Sequence, residues 1–566
     1  MRMHLILEIC AIALLFTTAA FVHAQNQASP RSTQPASTTG YRIAGTVVNA
    51  ISGEPVRRAT VAVLATDNNQ TVESAETDSE GRFELAGLAE GKYPLTASKR
   101  GFLTAFYDQH DEGYNSAIVT GEGQETTGLV FKLVPGATLH GVITGESGDP
   151  VEGAKVMLFV KPHNHNPSAR IMQASEAIAD DTGAYEFNGL AAGEYLLAVE
   201  AEPWYALHRS AARELTRSEN VPAAMLDVAY PVTFFDSTTD EPSATEIKLA
   251  GGGREEASIS LHAVPALHLL VPTALKQDQS LASPKLQQSV FGTPLATGGT
   301  GFFPGGETML MEFTGVSPGH YQLTQGDPPR IVELDATASQ QIDPSQGTPT
   351  VTVSGTLRAT NFFVLPENLS VYLVSLDDAQ EHAPRQANCV KGAFTFDAVF
   401  PGAWELMVQS PGKTLSVSSI FAGKKVLDGN DFTVKDKPVQ IEATVSLGEA
   451  RVEGFAKKNG KALPGAMIVL VPRNPEAHGD KFRRDQSDSD GSFSLRDVAP
   501  GDYTVVAIED GWELDWARPE VIGHYLLKGV AVTMTENSGK LLQPSEEVQV
   551  QSRQQESGRG QWPGLH

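Results

Sequence analysis

Residues Asp488–Ile508 read DSDGSFSLRDVAPGDYTVVAI, and the pattern inside this stretch occurs four more times in the chain. The copies are GRFELAGLAEGKYPL from Gly81, GAYEFNGLAAGEYLL from Gly183, MLMEFTGVSPGHYQL from Met309 and GAFTFDAVFPGAWEL from Gly392, beside GSFSLRDVAPGDYTV from Gly491. They share G-x-Ar-x-Φ-x-x-Φ-x-x-G-x-Ar-x-Φ at one spacing, where Ar is mostly aromatic and Φ is bulky and apolar; the copy from Met309 lacks the leading Gly. Self-similarity of this kind marks a tandem array. Phe83 and Leu85 alternate with polar residues, the period-two mark of a strand with one buried face. Tyr93 and Leu95 do the same for a following strand. The intervening LAEG or VAPG is too short for a helix and carries a Gly suited to a positive-φ turn. Each copy therefore predicts a strand, a tight connection that dips one apolar residue inward, and a second strand.

Asp78, Asp180 and Asp488 stand three residues before the leading Gly of their copies. Such an Asp caps its own backbone two residues on, and the Gly takes the left-handed position, which is hairpin chemistry. DSDG also looks like the start of a calcium loop. A helical-hand loop would want Asp where Gln486 stands, Glu where Asp497 stands, and helices on both sides. The flanks alternate like strands, so the turn reading is preferred.

Upstream of the repeat lies a second shared element. GTVVNAISGEPVRRATVAVL from Gly45 matches GVITGESGDPVEGAKVML from Gly141 and GFAKKNGKALPGAMIVL from Gly454. Each reads strand, Gly-containing turn, Pro, then a small residue (Ala59, Ala154 or Ala466) opening another strand. Each repeat unit thus offers six or seven short strands, enough for a small antiparallel sandwich. The fold expected is all-β, a tandem array of about five small antiparallel β-sandwich domains of transthyretin-like or Ig-like type. Expected boundaries are a signal peptide over 1–24, a linker over 25–40, and sandwiches over 41–135, 136–265, 266–349, 350–447 and 448–540, with a polar tail over 541–566. The second sandwich carries an insert over 204–230, within which AARELTRSENVPAAMLDVA suggests a short helix. Short linkers predict beads on a stiff string.

Composition bounds the function. The chain has 566 residues, 41% hydrophobic and 20% charged, which fits a folded protein of several domains. A net charge of −25 argues against a nucleic-acid partner, which selects a basic face. The start, MRMH, leads into an apolar run over Ile9–Val22 and then Val22-His23-Ala24, which suits signal-peptidase cleavage after Ala24. The run is short for a membrane span, and no later stretch is long and apolar enough for one. Cys10 lacks the flanking small residues of a lipid-attachment site, so the mature chain keeps Cys389 alone and has no internal disulfide.

The quoted G-x-V…P-V-x-x-A-x-V and D-x-x-G-x-F-x-[LF]-x-x-L-x-x-G-x-Y strings resemble the carboxypeptidase regulatory-like domain. That is a transthyretin-like sandwich sharing its broad shape with Cna-B-type modules. The likeness is strong over 41–135, 136–200 and 450–510, moderate over 350–410 and weak over 263–349. The whole chain looks like exported multi-domain bacterial proteins bearing such modules. The resemblance implies a module that accompanies enzymes, receptors and surface proteins and has no catalytic residues of its own.

Tests for chemistry give little. None of the 14 His has Glu three residues later, as a metallocarboxypeptidase ligand pair needs. His163 and His165 lack a third ligand at sensible spacing. SPGKT at Ser410–Thr414 would need Gly where Met407 stands to be a phosphate loop. There is no G-x-S-x-G. The early-strand Lys of a self-locking isopeptide module is missing from YRIAGTVV, ATLHGVI and RVEGFA. Five sandwiches leave no room for a receptor barrel. No cofactor and no metal are expected.

The remaining candidates are aromatic. Trp512 and Trp516, in GWELDWARPEV, follow the last repeat, and Trp204-Tyr205 holds the equivalent place after the second. Exposed Trp stacks on sugar rings, and Glu513, Asp515 and Arg518 are placed to bind hydroxyls. The alternative is that Trp plugs the open end of a sandwich. The function expected is a non-enzymatic, exported binding, adhesion or scaffolding protein of the cell envelope, monomeric, with polysaccharide or envelope proteins as partners. A carbohydrate-binding protein using these loop aromatics is the alternative, and a secreted hydrolase with an unrecognised site is a third reading.

Overall fold

The computed structural model describes residues 40–553 apart from 67–69, 112, 163–170, 209–225, 274–282, 306–307, 327–328, 361–363, 368, 378–383, 411–413, 424, 536–538 and 544–545. The leader, His163, His165, most of the insert with its expected helix, and residues 411–413 of SPGKT lie outside the described residues.

Most apolar positions of the repeat are core in every copy, with Tyr93 and Leu190 half-buried. Phe83, Leu85, Leu88 and Leu95 are buried, as are Tyr185, Phe187, Tyr195 and Leu197. The same holds for Met311, Phe313, Val316, Tyr321 and Leu323, for Phe394, Phe396, Val399, Trp404 and Leu406, and for Phe493, Leu495, Val498, Tyr503 and Val505. Burying each such side chain contributes roughly 1.5–3 kcal/mol. Described strand pairs fall into five sets, within 41–133, 137–265, 267–349, 351–448 and 450–552. In each, the first strand pairs antiparallel with the first repeat strand and parallel with a strand near the end of the set, as in Tyr41–Asn49 with Arg82–Leu88 and Leu129–Leu133. The second repeat strand lies in the other group of strands, as Leu95–Ser98 does against Thr60–Leu64.

The repeat therefore crosses from one sheet to the other, and the D-x-x-G turn does so too. Thr71–Glu76 pairs with Thr60–Leu64, whereas Arg82–Leu88 pairs with Tyr41–Asn49. The expected hairpin is a corner. A sandwich needs corners that close in few residues, and the same Asp-Gly chemistry serves both shapes. The Φ-x-x-Φ spacing has its own cause. Tyr41 pairs with Leu88 but Ile43 with Leu85, so the repeat strand holds one extra residue, a bulge, with Gly87 at φ +77°. The bulge returns Leu88 to the core side despite its odd spacing from Leu85. Gly189, Gly315 and Asp497 take the same left-handed position in three other copies.

The second aromatic of the motif carries a hydrogen-bond donor in all five copies, and each donor reaches the carbonyl four residues back. Tyr93 donates to Ala89, Tyr195 to Ala191, Tyr321 to Ser317 and Tyr503 to Ala499, at 3.2, 3.0, 2.7 and 2.8 Å. Trp404 places its indole N–H on Phe400 O at 3.0 Å. The bond pins the crossing segment through one of its carbonyls, a version of the tyrosine corner.

The sandwiches are not beads on a string. Leu103 N donates to Val134 O and Gly252 N to Pro135 O, so the linker between the first two units is held from both sides. Phe291 of the third unit packs on Phe159 and Phe234 of the second, both at 5.1 Å. Buried His268 bridges Asp227 and fully buried Glu312 across the same junction. Ile331 of the third unit packs into the core cluster of the fourth, and Asp480 of the fifth accepts from Val417 N. The first unit in turn docks on the fifth, so the array closes on itself. The expected polar tail also differs. Val548–Ser552 is a strand of the fifth unit with Val548 fully buried, because VQVQ alternates like the strands before it.

Candidate functional site

The D-x-x-G turns show how the closing contact is built. In the first unit Asp78 Oδ1 accepts the backbone N–H of Glu80 and Arg82 at 3.0 and 2.8 Å. In the second, Asp180 Oδ1 accepts those of Thr182 and Ala184 at 2.8 and 3.0 Å. These bonds hold both carboxyls below the usual carboxylate range, led by the Arg82 N–H for Asp78 and the Thr182 hydroxyl for Asp180. In the fifth unit the cap has moved. Asp490 Oδ1 accepts Ser492 N at 2.9 Å, and the Asp488 carboxylate points at the first unit instead. Its Oδ1 accepts Ala117 N at 2.9 Å and its Oδ2 accepts the Lys92 ammonium at 2.7 Å.

The neighbours of Asp488 extend the contact. Ser489 N donates to Ala117 O, and Ser489 Oγ accepts Val119 N at 2.9 Å, so the turn lies along Ile118–Thr120 as an added strand would. Gln486, 1% exposed, donates to Asp108 O and Ser116 Oγ at 2.6 and 2.9 Å. Burial pushes the Asp488 carboxyl up and raises Asp485 beside it to about 7.

An aromatic cage completes the junction. The Arg484 guanidinium lies 4.3 Å from the Tyr114 ring centroid and 4.5 Å from that of Trp516, and its Nη2 donates to Asp111 Oδ2 at 2.8 Å. A desolvated cation over ring faces gains ~2 kcal/mol. His110 stacks on Trp512 at 5.3 Å and 12°.

These contacts decide what the sequence-picked residues do in the fold. Trp512 is 8% exposed, and its indole N–H donates to Gly465 O at 3.0 Å. It joins Leu514, Ile522 and Tyr525 over the outer face of the strand pair Met467–Pro472 and Gly501–Glu509. It thus covers a sheet face rather than an open end. Trp516 is partly buried against Phe482 and Arg484. Glu513 is exposed and paired with Arg553 at 2.8 Å, and Arg518 is held by Asp515 and Glu520. Trp204 stands apart on the second unit, 90% exposed, with Tyr205 edge-on at 5.6 Å. Cys389 is a buried free thiol, its pKa pushed up by that burial.

Sequence reasoning missed Lys92, His110, Tyr114 and Arg484, whose partners lie far away in the chain. One signal was present. Met467–Pro472 is a continuous apolar run with all six residues buried, whereas Thr60–Leu64 alternates. A continuous run marks a strand covered on both faces.

A cleft of about 1160 Å³ opens where the second, third and fourth units meet, lined by Pro231, Phe234, Glu241, Glu333 and Phe400 among others. His320 stands in it between Asp335 at 2.8 Å and Glu333 at 3.1 Å; chiefly through the Asp335 hydrogen bond, its imidazole is held above the usual range. Among the described residues no group of three or more His, Cys, Asp or Glu is placed to hold a metal ion, and no helix is long and apolar enough to cross a membrane.

Residues 42–134 and 138–224 match the carboxypeptidase regulatory-like domain, so the chain carries this module twice. Comparison with curated protein sequences finds no match. Among solved structures, the chain is similar to the Bacillus anthracis TIE protein at 10% identity and TM-score 0.17, covering 93% of this chain and 76% of that one. It is similar to the shaft pilin SpaA of Lactobacillus rhamnosus GG at 11% identity and TM-score 0.20, covering 40% and 98%. It is also similar to GBS52, the minor pilin of Streptococcus agalactiae, at 14% identity and TM-score 0.19, covering 40% and 97%. Scores this low carry no functional inference.

Proposed function

We propose that this is an exported, non-enzymatic binding or scaffolding protein of the cell envelope. The observation that supports it is the junction set. The polar groups of the sequence most suited to chemistry, Asp488, Arg484, His110 and Trp512, are spent on joining sandwiches to one another. A protein whose charged and aromatic side chains tie its own modules together presents a rigid shape. A ligand segment then has a ready place in the cleft of the second, third and fourth units, since sites form preferentially between domains. The start MRMH and the apolar Ile9–Val22 support export.

A second reading, carbohydrate binding, is favoured by Trp204 alone. A Trp 90% exposed beside Tyr205 offers a flat stacking surface that Trp512 lacks. One experiment tests both readings. The chain from residue 25 is presented to a glycan array and to sedimented envelope fractions, beside Trp204→Ala. Binding to envelope material by both proteins supports the scaffold. Glycan binding lost in the variant supports the second reading. Binding to neither, with turnover of a polymer substrate, overturns both.

A further inference from the structure

We propose that the surfaces joined within one chain, between the first and fifth units, also join between chains, so that a second copy of this protein is a partner and copies assemble head to tail. The proposal adds to the scaffold reading and does not depend on its ligand.

The first reason is that the contact is not part of either fold. The core of the first unit draws on residues 43–133 alone, and the sandwich core of the fifth on 450–550. Trp512 takes cover from Leu514, Ile522 and Tyr525 of its own unit as well as from His110 and Tyr114 of the first. What separation exposes is mixed: the polar Lys92, Asp488, Ser489 and Gln486, and the faces where His110 and Tyr114 meet Trp512. Interfaces of this composition are reversible ones.

The second reason is symmetry. The patch on the first unit, with Lys92, Asp111 and the backbone of Ala117 and Val119, differs from the patch on the fifth, with Arg484, Asp488 and Ser489. A contact between unlike patches is heterologous, and when it is made between molecules it yields rings or open filaments. The third reason is geometric. Closure within one chain demands that all intervening junctions hold their angles at once, whereas docking between chains makes the same bonds with no such demand. In dilute solution the tethered partner has the higher effective concentration, so the closed monomer prevails. Crowding of copies, or loosening of any junction, shifts docking to the neighbour.

The test uses charge reversal in the chain from residue 25. Lys92→Glu and Asp488→Lys each place like charges across their own closing contact. Mixed one to one, they offer two complementary contacts, the reversed pair and the original Lys92–Asp488 pair, and both only between two molecules. Light scattering of the mixture is expected to show at least twice the single-chain mass, falling back in high salt, with neither variant alone doing so. A mixture that stays at single-chain mass while both variants keep their circular dichroism overturns the proposal, as does equal assembly by either variant alone. If a reversal impairs folding, Val119→Cys and Ser489→Cys on separate chains replace it. Oxidation of their mixture is expected to give mainly the mixed disulfide dimer, with Cys389 silent by burial. No dimer, or a statistical blend of all three dimers, overturns the proposal.

Discussion

Asp78 and Asp488 hold the same place in the same repeat and do opposite things. Asp78 turns inward and caps the corner of its own sandwich. Asp488 leaves its corner to Asp490 and reaches into another sandwich, where Lys92 and Ala117 N receive it. The difference comes from one residue two positions on. That position holds Glu80 in the first copy, Thr182 in the second and Asp490 in the fifth, and Asp490 takes over the cap. A repeat can thus keep its fold while one copy's turn is turned to assembly.

The largest effects lie in what the copies share. Phe493→Ala and Phe83→Ala each empty a large buried site and are expected to cost about 3–5 kcal/mol in their own unit. Denaturant unfolding of the intact chain measures this. A loss under ~1 kcal/mol at either site would place the ring in water and shift the strand phase by one.

Next comes the cage. Arg484→Ala removes the guanidinium that donates to Asp111 and lies between Tyr114 and Trp516. Removing one partner of a mostly buried ion pair costs about 3 kcal/mol. The loss is expected in the docked state, seen as faster hydrogen exchange across residues 108–119 and 484–489 while the strands of both units stay protected.

The two turns also differ in pH response. Asp485 beside the fifth turn is pushed up to about 7, and Asp488 is raised as well. Unfolded carboxyls titrate near 4, so between about pH 4 and 7 the folded state binds more protons there than the unfolded state. Stability contributed by this region therefore falls as pH rises through that window. Asp78 is lowered, so its contribution is full above about pH 4 and is lost only as pH falls through its depressed value. The melting temperature is expected to be higher at pH 5.5 than at pH 8, and Asp485→Asn to shrink that gap. An unchanged gap in the variant would remove Asp485 from the account.

The exchange of caps predicts a smaller, reciprocal pair. Asp78→Ala is expected to cost the first unit a small amount of stability, since its carboxylate caps two backbone N–H groups of the corner. Asp488→Ala leaves the stability of the fifth unit nearly unchanged and loosens docking instead. Asp490→Ala should behave toward the fifth unit as Asp78→Ala does toward the first. The smallest effect is calcium. The Asp78 and Asp180 carboxylates already accept backbone N–H, and Asp488 already holds an ammonium. Millimolar calcium is expected to leave the melting temperature unmoved, and a rise lost in Asp488→Ala would overturn the turn reading.

The fold was legible because its information is local. Phe83, Leu85 and Leu95 state their burial by spacing alone. Even the weakest copy obeys, with Phe313 and Tyr321 buried at the predicted places. The bulge and the corner were only half legible, since Φ-x-x-Φ and the constant Tyr or Trp were visible but their cause lies in pairing. The candidate site was hardly legible. Lys92 and Asp488 are 396 positions apart, and no periodicity links them. Trp512 and Trp516 drew notice as large aromatics, but exposure is set by what packs against them, and His110 and Tyr114 belong to another unit.

The closed array rests on Lys92 meeting Asp488, and a zero-length carbodiimide coupling tests it directly. The reagent joins an amine to a carboxylate only when the two touch, as Lys92 Nζ and Asp488 Oδ2 do at 2.7 Å. Lys457 and Glu547, 2.6 Å apart inside the fifth unit, serve as the internal control. Peptide mass spectrometry of the dilute, single-chain fraction is expected to recover both couplings. Recovery of Lys457 with Glu547 but not of Lys92 with Asp488 would show an open string of sandwiches and contradict the account.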